Sequence, residues 1–251
     1  MVSFAESSDG LRIAYEIVGQ GAPVLLVHGF ASSRVQNWRA TAWYRTLTEA
    51  GFQTIAMDCR GHGDSDKPHD PAFYSYDLMS KDVLAVAAAA GVRDAHLIGY
   101  SMGGHLGIQL LMEDPQLIRR LVIAGVGANY FRHDLAARFA LADALLAPDP
   151  AQITDPVQKS FRAFASQPGK DIVALAACMR GERRFFSLVE LARSARPALV
   201  ICGDNDDISG PPGPLAAALH DATATTVPHR DHMSAVGDKA TKAAVIEFLK
   251  R

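Results

Sequence analysis

The sequence predicts an α/β protein with a mostly parallel sheet covered by helices on both sides. Three observations lead there. Short apolar β-like runs alternate with helical stretches along most of the chain. Most of those runs are continuous rather than alternating, the pattern of strands buried on both faces. Over 251 residues, 49% hydrophobic and 21% charged residues supply one sizeable core and exclude disorder or coiled coil as the main state.

The elements follow in order. Leu11–Val18 alternates apolar and polar residues and reads as an edge hairpin with the residues before it. Compact strands are expected at Val24–Val27, Thr54–Met57, Ala95–Ile98, Leu121–Ala124, Ala198–Ile201 and Thr223–Val227. Helices are expected over 38–50, 77–90, 102–113, 212–220 and 238–250. The alternation stops between residues 129 and 193, where helical patterns punctuated by Pro148, Pro150, Pro156 and Pro168 replace strands. The spacing of Phe131, Leu135, Phe139 and Ala142 suits one helix face. The expected organisation is a core of residues 1–128 and 194–251 with a helical insertion, 129–193, over one edge of the sheet.

Composition excludes several function classes. Lys plus Arg number 25 against 27 Asp plus Glu, a formal net charge of −2, which leaves no electrostatic footprint for nucleic acid or an anionic membrane. Cys59, Cys178 and Cys202 are too few and too widely spaced for a disulfide framework or a metal-binding CxxC. The start MVSFAESSDGLRI lacks a basic segment followed by an apolar run, and no window approaches the ~18 apolar residues of a membrane span. The expectation is a cytoplasmic protein with no membrane partner. Oligomeric state is not legible.

The strongest local signal is Gly99-Tyr100-Ser101-Met102-Gly103, between the predicted strand AHLIGY and the predicted helix MGGHLGIQLLMED. A serine at the apex of so sharp a turn needs neighbours without side chains, which Gly99 and Gly103 supply. The turn would hold the hydroxyl at the carboxyl end of a strand, where open α/β sheets bind ligands. A serine hydroxyl is a weak nucleophile at neutral pH and needs a histidine base oriented by a carboxylate.

On this architecture the acid and then the histidine follow the serine. His232, in Asp231-His232-Met233-Ser234, lies deeper in the loop returning toward the serine and is the preferred base, with His229 as the alternative. The acid is expected after the strand PALVICG, where Asp204, Asp206 and Asp207 crowd together. Asp206 is assigned to the Nδ1–H of His232, and Asp204 and Asp207 to solvent or the turn. The segment Gly125-Val126-Gly127-Ala128-Asn129, after the preceding strand, offers no carboxylate. The oxyanion formed in acyl transfer needs fixed N–H donors. These are assigned to the backbone N–H groups of Met102, at a helix start, and of Phe30, in His28-Gly29-Phe30.

Together these residues resemble the α/β-hydrolase family, in its small branch with a helical cap, over nearly the whole chain. The resemblance rests on His28-Gly29-Phe30, on Gly99-Tyr100-Ser101-Met102-Gly103-Gly104, on Gly203-Asp204-Asn205-Asp206 and on Asp231-His232. Asp58-Cys59-Arg60-Gly61-His62-Gly63-Asp64-Ser65-Asp66 also resembles a loop of this family. There Asp58 and Arg60 would be structural, and His62, like His28, a bracing residue. One departure is Asp231, where many members carry glycine.

The resemblance implies a mostly parallel sheet of the eight-stranded type and a serine hydrolase that needs no metal or organic cofactor. A carboxylesterase of small to medium acyl esters is the leading expectation, with a small-molecule ester as partner. C–C bond hydrolysis, a cofactor-free perhydrolase reaction and a receptor-like binding role are the alternatives. A serine at position 101 argues against the aspartate-based dehalogenase-like and epoxide hydrolase-like members. Trp38, Tyr100 and the phenylalanines of 129–193 are candidate pocket residues. Nine Lys/Arg against seven Asp/Glu in that segment predict no charged substrate.

Overall fold

A computed structural model describes residues 1–251. Its centre is an eight-stranded sheet in the order β1-β2-β4-β3-β5-β6-β7-β8. The strands are β1 Ser3–Glu6, β2 Arg12–Val18, β3 Ala22–Val27, β4 Phe52–Met57, β5 Ala95–Tyr100, β6 Ile118–Ala124, β7 Ala198–Gly203 and β8 Ala222–Val227. β1 and β2 form the antiparallel edge hairpin, and β2 runs antiparallel to β4. From β4 to β8 every pairing is parallel. β8 closes the far edge, and its residues are mostly exposed or half-buried rather than covered on both faces.

The pleat divides alternate residues between two cores. Leu25, Val27, Leu97 and Leu121 face one side, packed with Met79, Val83 and Val86 of α2 (Tyr76–Ala89) and Leu106 and Leu110 of α3 (Met102–Glu113). Val24, Leu26, Ile98 and Val122 face the other, packed with Trp43 and Leu47 of α1 (Trp43–Glu49) and Val245 and Phe248 of α9 (Lys239–Lys250). Helix starts are written locally. Ser75 caps α2 by accepting from the Leu78 N–H, and Asp238 caps α9 by accepting from the Ala240 N–H.

The helix expected over 38–50 divides. Val35–Arg39 forms one wide π turn, and α1 begins after Ala42, whose φ is 63°. The break lets the indoles of Trp38 and Trp43 meet edge to face at 5.9 Å in the same core. Trp38 is therefore fully buried and lines neither cavity at Ser101. The helix expected over 212–220 shortens to α8, Gly213–Ala218.

No strand lies between β6 and β7. That stretch holds α4 (Leu135–Leu146), α5 (Pro156–Ala165), α6 (Ile172–Arg180) and α7 (Leu188–Leu191). Asp134, Asp155 and Asp171 cap the first three. The proposed face of α4 is corrected: Phe131 belongs to a preceding 3-10 turn, Leu135 and Phe139 are exposed, and only Ala142 is buried. α4 instead turns Ala142 and Leu145 toward the core. No helix is long and apolar enough to cross a membrane.

Candidate active site

The chain order of the sheet reverses at β3, with β4 on one side and β5 on the other. Loops after β3 and β5 therefore meet at the carboxyl ends of the strands, where a crevice opens. Ser101 follows β5 directly, with φ 53° and ψ −112°, a conformation that non-glycine residues rarely adopt. The turn is held open by its flanking glycines. A Cβ on Gly99 would collide with the carbonyl oxygen of Gly103, and one on Gly103 with that of Val27 at the end of β3.

Two distant loops converge on this hydroxyl. Nε2 of His232 lies 3.0 Å from Ser101 Oγ. On the other side of the ring, Nδ1 lies 2.9 Å from Oδ2 and 3.1 Å from Oδ1 of Asp206. An Nδ1–H donated to the carboxylate leaves the Nε2 lone pair facing the serine. His232 and Asp206 are buried, and the Tyr100 hydroxyl donates to the His232 carbonyl at 2.6 Å. His229 is exposed, with φ 58°. Asp204 is exposed and accepts from the Arg230 N–H, and Asp207 is likewise exposed. Asp231 bonds the N–H groups of Met233 and Ser234 and so turns the histidine loop.

Ser209 is a site residue that the sequence reading missed. Its hydroxyl donates to Asp206 Oδ2 at 2.7 Å, and its N–H donates to Oδ1 at 2.9 Å. The signal was a serine three residues beyond an aspartate in a tight loop, a common capping pattern easily discounted. Burial opposes charge on Asp206, but the hydrogen bond and charge of His232 and the two bonds from Ser209 outweigh it. The carboxyl is held below its usual range and remains an anion.

The loop after β3 abuts the serine: a Cβ on Gly29 would sit 3.3 Å from the Ser101 Cβ. The Phe30 N–H donates to no protein acceptor. Met102 is the first residue of α3, so its N–H has no intrahelical partner. Two buried histidines brace this loop. His28 Nδ1 donates to the Gly29 carbonyl at 2.7 Å, and its Nε2 accepts from the Cys59 N–H at 3.0 Å. His62 Nδ1 donates to the Arg60 carbonyl at 2.8 Å, and its Nε2 accepts from the Ala31 N–H at 3.0 Å. Below them Asp58 accepts from the Arg34 N–H and guanidinium, while Arg60 pairs with Asp82 and Asp9.

This bracing predicts acid sensitivity. Burial, above all, lowers His28 to about 4 and His62 to about 3. Their folded values lie below the unfolded value near 6.5, so the unfolded chain binds more protons as pH falls. The stability is full above about pH 6.5 and is lost progressively toward pH 4. Between pH 7 and 5 the loss is about 4 kcal/mol for the pair, or roughly 10 °C in Tm. Thermal unfolding across that range measures it. A Tm flat to pH 5 would contradict it.

A cavity of about 160 Å³ opens onto Ser101 and His232. Phe30, Tyr100, Phe161, Phe164 and Val236 line it, so Tyr100 and two of the candidate phenylalanines reach the site. A second, of about 450 Å³, reaches Ser101 and Met102 from the α4–α6 side.

A strand–serine–helix turn at the carboxyl edge of a parallel sheet, with a histidine–aspartate pair behind it, is the arrangement of a hydrolase. The chain belongs to the α/β-hydrolase fold family, whose model, described as alpha/beta hydrolase fold, matches residues 22–217. It is similar in structure to a hydrolase from Pseudomonas aeruginosa PA01, with 31% identity, 100% of this chain and 98% of that chain covered, and a TM-score of 0.83. An esterase (EaEST) from Exiguobacterium antarcticum shares the fold at 20% identity, with both chains covered in full and a TM-score of 0.81. In sequence it is 29% identical over 271 residues to the protein named "Putative carbamate hydrolase RutD" of Variovorax paradoxus, covering 96% of this chain and 97% of that one.

Proposed function

We propose that this hydrolase is a carboxylesterase acting on small to medium acyl esters through a Ser101–His232–Asp206 triad, with residues 129–193 as a helical cap over the cleft. The single observation carrying the reading is the 3.0 Å approach of His232 Nε2 to Ser101 Oγ, with Asp206 on the opposite ring nitrogen. Ser101 Oγ attacks the ester carbonyl carbon as its proton passes to Nε2. The carbonyl electrons move onto oxygen, where the N–H groups of Phe30 and Met102 receive them, each such donor worth about 3 kcal/mol. Asp206 stabilises the imidazolium without taking its proton. Collapse breaks the bond to the alkoxide, which leaves with the proton from His232. Water, deprotonated by the same nitrogen, attacks the acyl-enzyme, and the proton returns to Ser101 as the acid departs.

Phe161, Phe164 and Val236 among the residues lining the space at Ser101 suit an apolar substituent of the ester. The test is a fluorophosphonate probe together with p-nitrophenyl esters of graded chain length. The expected outcome is a covalent adduct on Ser101, absent in Ser101→Ala, and turnover of the shorter esters. A protein that ignores both reagents is not an esterase.

A further inference from the structure

The larger cavity at Ser101 carries an unneutralised positive wall. Arg138 of α4 and Arg183, just beyond α6, both line it, and neither has a carboxylate within 4.0 Å. Their neighbours differ: Arg180 pairs with Asp143, and Arg184 with Glu113 and Glu190. Arg183 lies 5.2 Å over the Tyr76 ring, and its one polar contact is the Met179 sulfur at 3.5 Å. Buried atoms of four cavity-lining side chains lack a partner: Arg138 Nε, Arg183 Nε, Tyr76 Oη and His105 Nδ1. Tyr76 is 3% exposed, so its hydroxyl has little access to solvent. The lining carboxylate, Asp155, is exposed and occupied with the Gln158 N–H.

Buried donors without acceptors are costly, and two guanidiniums facing one space repel each other. Burial first, and then Arg183, lower Arg138 to about 10. An anion between them would satisfy both deficits. His105 follows Ser101 by one helical turn, its N–H bonded to the Ser101 carbonyl, so the polar wall belongs to the same cleft as the nucleophile. His232, which must reach the leaving alcohol, lines the smaller cavity, which leaves the larger one to the acyl chain.

We propose that the preferred substrate is an ester whose acyl chain ends in a carboxylate, received by Arg138, Arg183 and the Tyr76 hydroxyl. This rests on the ester reading above and names its substrate class. The balanced charge of residues 129–193 hid it, because a count does not show which charges face one cavity without a carboxylate partner.

The test compares the monoethyl esters of adipic and suberic acids with ethyl hexanoate and ethyl octanoate, followed by proton release. The carboxylated esters should show kcat/KM about 10- to 100-fold higher, the range for a charge-assisted hydrogen bond. Arg138→Gln and Arg183→Gln should each remove most of that preference, through KM, the carboxylated esters losing far more than the neutral ones. Tm should hold or rise, because each variant deletes an unpaired charge. A variant that fails to fold is replaced by inhibition of the wild-type enzyme, where adipate should compete at least tenfold more strongly than 1,6-hexanediol. Equal turnover of both ester types, equal inhibition by both compounds, or equal losses on both ester types in the variants would overturn the proposal. Silence toward the neutral esters and the fluorophosphonate alike would instead remove the ester reading.

Discussion

His232→Ala should lower kcat/KM for an ester by about five orders of magnitude, while His229→Ala leaves it within about twofold. The asymmetry comes from geometry. His232 is buried with both ring nitrogens committed, one to Asp206 at 2.9 Å and one to Ser101 at 3.0 Å. His229 sits three residues earlier on an exposed left-handed turn and touches neither. On the proposed mechanism, the serine without the imidazole keeps its proton, and the Phe30 and Met102 N–H groups and the cleft supply only the residual rate. Asp206→Asn should cost about four orders, because an amide N–H facing Nδ1 selects the wrong tautomer. Steady-state kinetics of the three purified variants, each first shown to melt cooperatively, decides the matter. Loss on His229→Ala with activity retained in His232→Ala would reassign the base.

Gly103→Ala should lower Tm by about 10 °C and kcat by about 100-fold, from roughly 3 kcal/mol of overpacking and an ångström-scale misplacement of the nucleophile. The added methyl would press on the carbonyl of Val27 and approach the His28 carbonyl at 2.9 Å. Neither can retreat, because Val27 pairs with both Met57 and Gly99 in the middle of the sheet, and the His28 ring is clamped by hydrogen bonds on both nitrogens. On the proposed mechanism, the strain would move Ser101 against the N–H groups of Phe30 and Met102. Gly91→Ala is the control. Its φ is 71° but nothing lies within 4 Å of the added methyl, so it costs only about 1–2 kcal/mol of backbone strain and leaves kcat unchanged. Wild-type Tm and kcat in Gly103→Ala would refute the steric account of the elbow.

Strands and the elbow were legible because their signals are local. Continuous runs such as Val24–Val27 and Ala95–Ile98 encode burial on two faces, and the glycines flanking Ser101 encode a turn that tolerates no side chain. The break in the helix after Arg39 was not legible. The residues on both sides favour helix, and the interruption, with Ala42 at φ 63°, accompanies a contact of Trp38 with Trp43 that periodicity does not encode. The face assigned to α4 failed for a related reason: periodicity gives a stripe but not the neighbour that covers it, and Leu135 and Phe139 remain exposed.

At the site the division runs between residue type and pairing. The sequence alone determined the parallel α/β architecture, the serine turn, and a short list of acids and histidines in the required chain order. The tertiary structure decided which histidine meets the serine, His232 over His229, and which acid meets that histidine, Asp206 over Asp204 and Asp207. It also supplied Ser209 beneath the acid and left Arg138 and Arg183 without acid partners. The physical reason is range. Burial and turn preferences act over a few residues, whereas hydrogen bonds across 131 positions, as between Ser101 and His232, exist only once the sheet has brought its loops to one edge.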